Sequence, residues 1–314
     1  MTDVDFDLAG RRVWVAGHTG LVGRALLRRL ADEPVELVTA RSAEVDLTRQ
    51  DETEEFVART RPDVCIMAAA RVGGVHANRS AQATFLYDNL VMAANTVEAC
   101  RRNDVAKTVL LGSTCIYPRE APQPMPESSL LTGPLEETNE GYAIAKIAAL
   151  ELAKMYRRQH GMDAIALMPT NLYGPGDDFD PQTSHVLPAL LRKVHEAHES
   201  GAETVELWGT GTPRREFLHV DDLADAVVFA LRHVSREQHV NVGVGRDIAI
   251  ADLARLIADV VGWDGDFTFD PDMPDGTPRK LVDVSVLSGL GWTASIGLEE
   301  GIRSTLAWYR DHGG

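Results

Sequence analysis

Tyr142 and Lys146 stand four residues apart in EGYAIAKIAA, a spacing that puts both side chains on one face of a helix. An ammonium beside a phenol favours the phenolate and lowers a pKa that is about 10 when unperturbed. Such a tyrosine could exchange a proton with a carbonyl oxygen near neutrality, and Ser113, which closes the apolar run VLLGS, could hold the same oxygen. Two further groups add proton chemistry at carbon. Cys115 follows Ser113 by two positions and His185 opens SHVLPALLRK; a thiol and an imidazole on opposite walls of a cleft could remove and return protons beside a ketone. The competing reading makes Cys115 a small buried hydrophobe and His185 a neighbour of a helix start.

A second group of residues is suited to a dinucleotide. The string AGHTGLVG spaces Gly17, Gly20 and Gly23 as GxxGxxG after an apolar run and before a helical pattern. Glycines there let the backbone turn tightly and approach a pyrophosphate, which rests on the positive helix N-terminus, so Thr19, Leu21 and Val22 belong to the same turn. The run VELVTA ends in Arg41, where a chain that prefers NAD often carries a carboxylate for the ribose hydroxyls. Arginine there could pair with a 2′-phosphate and favour NADP(H); Asp46 and Leu47 follow at a position suited to flank the adenine.

These groups need a scaffold that brings strand ends together. From Arg12 to about Leu111, runs of strand length alternate with helical patterns near residues 21–31, 53–60 and 84–102. A helix over 142–160 and a single strand over AIALMPTNLYG extend the series. Alternation of this kind predicts an α/β doubly wound, parallel-sheet Rossmann fold, and the nearly all-apolar strands match strands buried on both faces. After Tyr173 the texture turns to Pro, Gly, Asp and Ser, with helices expected at 185–199, 221–233 and 251–261. The expected division is a dinucleotide-binding domain over 1–172, with 217–245 returning to it, and a smaller C-terminal substrate-binding lobe over 173–216 and 246–314.

Composition narrows the partners. The 314 residues are 44% hydrophobic and carry a formal charge of −16, which disfavours nucleic acid and anionic lipid and leaves any phosphate-bearing ligand to local basic groups. No run approaches the roughly 18 apolar residues of a membrane span, and the first residues resemble no export signal, so a cytoplasmic address is expected. Cys65, Cys100 and Cys115 lack metal-ligand spacing; no metal and no disulfide framework is expected.

Taken in order, AGHTGLVG, ARVGGVHAN, LGSTCIYP, YAIAK, MPTNLYGPGDDF, SHVLPALLRK, WGTGTPRREFLHVDDLA and PDGTPRKLVDVS closely resemble the GDP-L-fucose synthase family of extended short-chain dehydrogenases/reductases, from about Arg12 to Tyr309. The resemblance implies NADP(H) as cofactor and a GDP-linked 4-keto-6-deoxy sugar as substrate, epimerised at carbons 3 and 5 and reduced at carbon 4. It implies Ser113, Tyr142 and Lys146 for reduction, Cys115 and His185 as base and acid for epimerisation, and Pro169, Thr170, Asn171, Leu172 and His185 beside the cofactor. Lys193, Trp208, Arg215 and one or both of Arg279 and Lys280 are implied near the GDP-sugar. Thr19 stands where the family usually has arginine, and Lys193 replaces an arginine often found there. Related sugar 4,6-dehydratases carry Asp or Glu where this chain has Thr114 and Cys115, which disfavours dehydration. A homodimer through the helices at 84–102 and 142–160 is expected by analogy of fold. The alternatives are a GDP-sugar 4-reductase without epimerisation, an NAD-retaining sugar epimerase, and a catalytically idle NADP-binding protein.

Overall fold

A computed structural model describes residues 5–180, 183–273 and 275–312. In chain order, β1 (Arg12–Ala16), α1 (Leu21–Leu30), β2 (Glu36–Val38), α2 (Gln50–Thr60), β3 (Val64–Met67), α3 (Val75–Ser80), α4 (Gln82–Arg102), β4 (Lys107–Leu111), α5 (Glu140–His160) and β5 (Ala164–Pro169) follow the predicted alternation except for the short helix α3, which the sequence reading did not expect. There follow β6 (Asn171–Tyr173), α6 (Val186–Ser200), β7 (Thr204–Trp208), β8 (Arg214–Arg215), β9 (Phe217–His219), α7 (Val220–His233), β10 (Val240–Val242), β11 (Ile248–Ala249), α8 (Ile250–Val261), β12 (Asp266–Asp270), β13 (Arg279–Lys280), α9 (Ser285–Gly289) and α10 (Leu298–His312).

Six strands form one sheet in the order β10-β5-β4-β3-β1-β2, and every pairing is parallel. Val13 and Val15 pack into the core on one face of the sheet, whereas Trp14 and Ala16 pack into the core on the other, the period-2 alternation of a strand covered on both sides. The strand order reverses between β1 and β3. Ligands of open α/β sheets bind in the crevice outside the carboxyl ends at such a switch point. Gly17 sits there with φ +84°, and a Cβ on it would lie 2.6 Å from the Ala69 Cα just beyond β3, so only glycine fits.

The second half departs from expectation in three ways. The single strand expected over AIALMPTNLYG is two: β5 stays in the main sheet and ends at Pro169, after which Thr170 N–H donates to the Val242 carbonyl and β6 turns away to pair with β9. The region assigned to turns also holds a β12–β7 pair and a three-stranded sheet of β11, β8 and β13. The boundary over 246–314 is too simple, because Val282 packs into one core beside the main sheet while Leu287 and Trp292 pack into the other. Burying those side chains draws residues 282–292 back to the first lobe. A third core, with Tyr173, Leu191, Leu253, Ile257 and Ile302, fills the smaller lobe.

Glu216 ties the junctions together. Its fully buried carboxylate accepts N–H groups of Val244 and Gly245 at 2.6 Å and of Val282 at 3.0 Å, while its carbonyl accepts the Asn171 amide at 2.8 Å. Burial pushes its pKa up, and the three donors oppose that by stabilising the charged form.

Candidate active site

The β4 strand delivers Ser113 to the carboxyl edge of the sheet, where it caps the short 3-10 turn Thr114–Ile116 by accepting the Cys115 N–H at 3.4 Å. The α5 helix brings Tyr142 and Lys146 alongside, on one face as their spacing predicts. The Lys146 ammonium lies 5.6 Å from the centre of the Tyr142 ring and donates to the Leu111 carbonyl at 2.9 Å. Here the protonation expected from sequence is corrected. Burial pushes the Tyr142 phenol above its ordinary value and brings Lys146 down to about 8, so at neutral pH the tyrosine holds its proton beside a charged lysine.

Cys115 is also buried, and burial raises its thiol pKa; the Ser113 hydroxyl and the Lys280 and Lys146 ammonium groups pull it back towards thiolate. His185 stands at the N-cap of α6 and is solvent-exposed, yet partial desolvation lowers its pKa despite the opposing pull of the Asp178 carboxylate. The loop ahead of it is pinned to the start of α3, since Gly74 N–H donates to the Thr183 carbonyl at 2.9 Å and a Cβ on Gly74 would strike the Ser184 carbonyl.

The basic groups implied for a sugar nucleotide fall into two sets. In β8 and β13 the register pairs Arg214 with Arg279 and Arg215 with Lys280. Arg214 and Arg279 both bind Asp247, so their charges are already partnered. Lys280 instead shares the electrostatic environment of Cys115, Arg215 and Glu136, and burial lowers its pKa. Of the two residues at 279 and 280, Lys280 is the one whose charge interacts with Cys115. Trp208 is 62% exposed, with the Lys193 ammonium 5.7 Å from its ring centre. The loop between β12 and β13 connects the sets: Asp275 accepts the Thr210 N–H at 2.7 Å beside Gly209, and Gly276 abuts the Arg215 guanidinium.

Around the glycine turn, Gly23 packs against Gly17 and His18, where a Cβ would fall 2.1 Å from the Gly17 carbonyl oxygen. Gly20 differs, because a Cβ there would meet nothing closer than 3.6 Å and its φ is −76°. The protein's own packing therefore leaves open the space above Gly20. Gly20 provides no side-chain cap for α1, and the first turn, Leu21 and Val22 included, holds no acidic residue. An uncapped helix start under an open cradle fits a diphosphate. Thr19 is exposed in the same turn, and Arg41 is exposed at the end of the second strand region with no acceptor for its guanidinium among the described residues. Asp46 spends its carboxylate on the Thr48 N–H and hydroxyl, at 2.9 and 2.8 Å, which lowers its pKa. Leu47 packs against the core and accepts Asn95 through its carbonyl. Pro169, Thr170, Asn171 and Leu172 line the turn where the chain leaves the sheet.

Sequence reasoning missed Glu136 and Asp275, the carboxylates that face Arg215, and the clasp residue Glu216. The signal for Glu216 was available: it alternates with Arg215 along one extended segment, so the two side chains take opposite faces. Glu136 and Asp275 are remote in sequence from Arg215, and only the fold pairs them.

Residues 13–243 match the NAD dependent epimerase/dehydratase family. The chain is 53% identical over 302 residues to probable GDP-L-fucose synthase 1 of Oryza sativa subsp. japonica, covering 96% of this chain and 92% of that one. Among solved structures it is similar to an NADP-bound GDP-L-fucose synthetase from Naegleria fowleri, with a TM-score of 0.90, 27% identity, and coverage of 99% of this chain and 98% of that one. It is also similar to a GDP-6-OMe-4-keto-L-xylo-heptose reductase from C. jejuni, with a TM-score of 0.90, 32% identity, and coverage of 98% and 99%.

Proposed function

This chain belongs to the NAD dependent epimerase/dehydratase family, and from that premise we propose that it is an NADPH-dependent enzyme converting GDP-4-keto-6-deoxy-D-mannose to GDP-L-fucose. The observation that carries the reading is the joining of reductive and epimerising groups at one strand end: Ser113 and Cys115 share a turn, with Tyr142, Lys146 and Lys280 close by.

The ketone at carbon 4 acidifies the protons on carbons 3 and 5. Ser113 and Tyr142 donate to the enolate oxygen as each proton leaves. Cys115 takes the proton from one face, with Lys146 and Lys280 stabilising the thiolate it needs, and His185 returns a proton to the other face. NADPH, when bound, supplies hydride to carbon 4. Tyr142, protonated at rest, gives its proton to the carbon-4 oxygen, and Lys146 stabilises the phenolate left behind. Trp208 offers a face to the nucleotide, while Lys193 and Arg215 meet the GDP phosphates. Gly17, Gly20 and Gly23 hold the cofactor's diphosphate on α1, and Arg41 its 2′-phosphate.

A second reading, reduction without epimerisation, is favoured by the likeness to the heptose reductase at 32% identity. Incubation with NADPH and GDP-4-keto-6-deoxy-D-mannose, with the product identified by NMR, separates them. GDP-L-fucose supports the first reading; a GDP-6-deoxyhexose that keeps its original configuration at carbons 3 and 5 contradicts it.

The protein is also proposed to act as a homodimer in the cytoplasm. Tyr87 and Leu90 on α4 and Ile144 and Met155 on α5 expose apolar side chains on two helices that pack together, a surface suited to a second copy. No helix among the described residues is long and apolar enough to cross a membrane. Sedimentation at micromolar concentration is expected to give twice the 34.3 kDa chain mass, and a monomer there contradicts the dimer.

A further inference from the structure

Arginines on α1 follow a pattern with one exception. Arg28 binds Asp221, and Arg29 binds Asp225 and Glu33 at 2.8 Å each, so their charges are neutralised against α7 and against the turn that follows α1. Arg24, one turn nearer the helix start, has no carboxylate partner among the described residues, in a chain with 47 acidic residues and 31 basic ones. It is exposed and could extend into water. Instead its Nε donates to the Thr19 carbonyl at 2.7 Å, which folds the side chain back over the glycine turn.

That single bond fixes the guanidinium while leaving both terminal nitrogens without an acceptor among the described residues. Gly176, at φ +94°, closes the other side: a Cβ there would lie 3.5 Å from a terminal nitrogen of Arg24 and 3.6 Å from its Cδ. An arginine held by Nε presents its remaining N–H fork in one orientation, the geometry that suits two oxygens of a phosphate. At the same turn lie the uncapped start of α1 and the space above Gly20, where an added Cβ would meet no described atom closer than 3.6 Å.

We propose that Arg24 is the side-chain cation that grips the cofactor's diphosphate, in division of labour with Arg41, which takes the 2′-phosphate. The inference rests on the NADPH reading and assigns a role within it. Thr19 brings no charge to the turn, so its carbonyl serves as the anchor and Arg24 provides the charge. The residue thereby sets affinity for any dinucleotide, whereas Arg41 sets the choice between NADPH and NADH.

Calorimetric titration of the wild type, Arg24→Gln and Arg41→Gln with NADP⁺, NAD⁺, ADP and adenosine 2′-monophosphate tests the division directly. Arg24→Gln should weaken NADP⁺, NAD⁺ and ADP by a common factor of about ten or more, the worth of a charge-assisted fork, and leave adenosine 2′-monophosphate unchanged. Arg41→Gln should weaken NADP⁺ and adenosine 2′-monophosphate and spare NAD⁺ and ADP. Unaltered NAD⁺ and ADP binding in Arg24→Gln overturns the inference, as does a loss confined to the two ligands with a 2′-phosphate. A wild type that binds neither dinucleotide overturns the cofactor reading and this inference with it. Because Arg24 is exposed and makes one hydrogen bond, Arg24→Gln should unfold at the wild-type temperature, and that scan confirms that a lost affinity reflects the guanidinium.

Discussion

The Lys146 ammonium reaches the Tyr142 ring at 5.6 Å but spends its hydrogen bond on the Leu111 carbonyl at 2.9 Å, so the lysine is anchored to the end of β4 and lies over the phenol ring rather than bonded to its hydroxyl. Burial brings Lys146 down to about 8 and pushes Tyr142 up, leaving a neutral phenol beside a cation at pH 7. The charge that supports proton donation is therefore lost as pH rises through about 8 in the free enzyme. kcat/KM for reduction should fall above that pH. In Lys146→Arg, whose guanidinium stays charged, the alkaline fall should vanish even though the rate drops. An unchanged alkaline limb in that variant would show that another group titrates there.

Removing the phenol should separate the two chemistries. Tyr142→Phe loses the proton donor for the carbon-4 oxygen, and loss of a positioned acid costs about 100- to 10,000-fold. Hydride transfer should fall by that order in single-turnover absorbance measurements. Exchange at carbons 3 and 5 should persist in part, because Ser113 still polarises the ketone. If both processes fall equally, the tyrosine serves them as one unit.

Stability should depend on His239. The ring is buried, its Nε2 lies 2.9 Å from the Tyr117 hydroxyl, and burial lowers its pKa from 6.5 to about 4. Between those values the unfolded chain binds a proton that the folded chain refuses, so this residue's contribution falls as pH drops from about 6.5 towards 4 and is level outside that window. Asp177 works in the opposite sense: burial raises it from 3.8 to about 7, and its contribution is lost as pH rises between those values. Comparison with His239→Gln, which keeps a polar partner for Tyr117 and does not titrate, isolates the histidine. Urea midpoints should show the wild type losing about 2–3 kcal/mol relative to the variant between pH 7 and 4.5. A constant difference would mean that the ring titrates normally.

The first lobe was legible because its signals are local. Alternating apolar runs gave the parallel sheet, glycine spacing gave the switch-point turn, and the four-residue step from Tyr142 to Lys146 gave their common face. The second half hides its order because two-residue strands such as β8 and β13 carry no periodicity, and Leu287 and Trp292 reveal by packing alone that their segment returns to the first lobe. Electrostatics were least legible. The expectation of a lowered Tyr142 pKa weighed one neighbouring charge and omitted burial, which, with the nearby Cys115, pushes the phenol up. Likewise, Arg279 and Lys280 are adjacent in sequence, yet Asp247 captures one and leaves the other to Cys115.

The claim at the centre of the account is that Cys115 removes protons at carbons 3 and 5. Solvent deuterium incorporation into GDP-4-keto-6-deoxy-D-mannose, followed by NMR in heavy water for the wild type and Cys115→Ser, tests it most directly. Burial pushes the Cys115 thiol up against the pull of the Lys280 and Lys146 charges, yet a thiol, ordinarily about 8.5, still ionises far more readily than a serine hydroxyl in the same place. Incorporation at both carbons should fall about 100- to 10,000-fold in the variant while slow reduction of the unepimerised ketone continues. Exchange at the wild-type rate, with GDP-L-fucose still the product, would make Cys115 a packed loop residue and leave the epimerisation without its base.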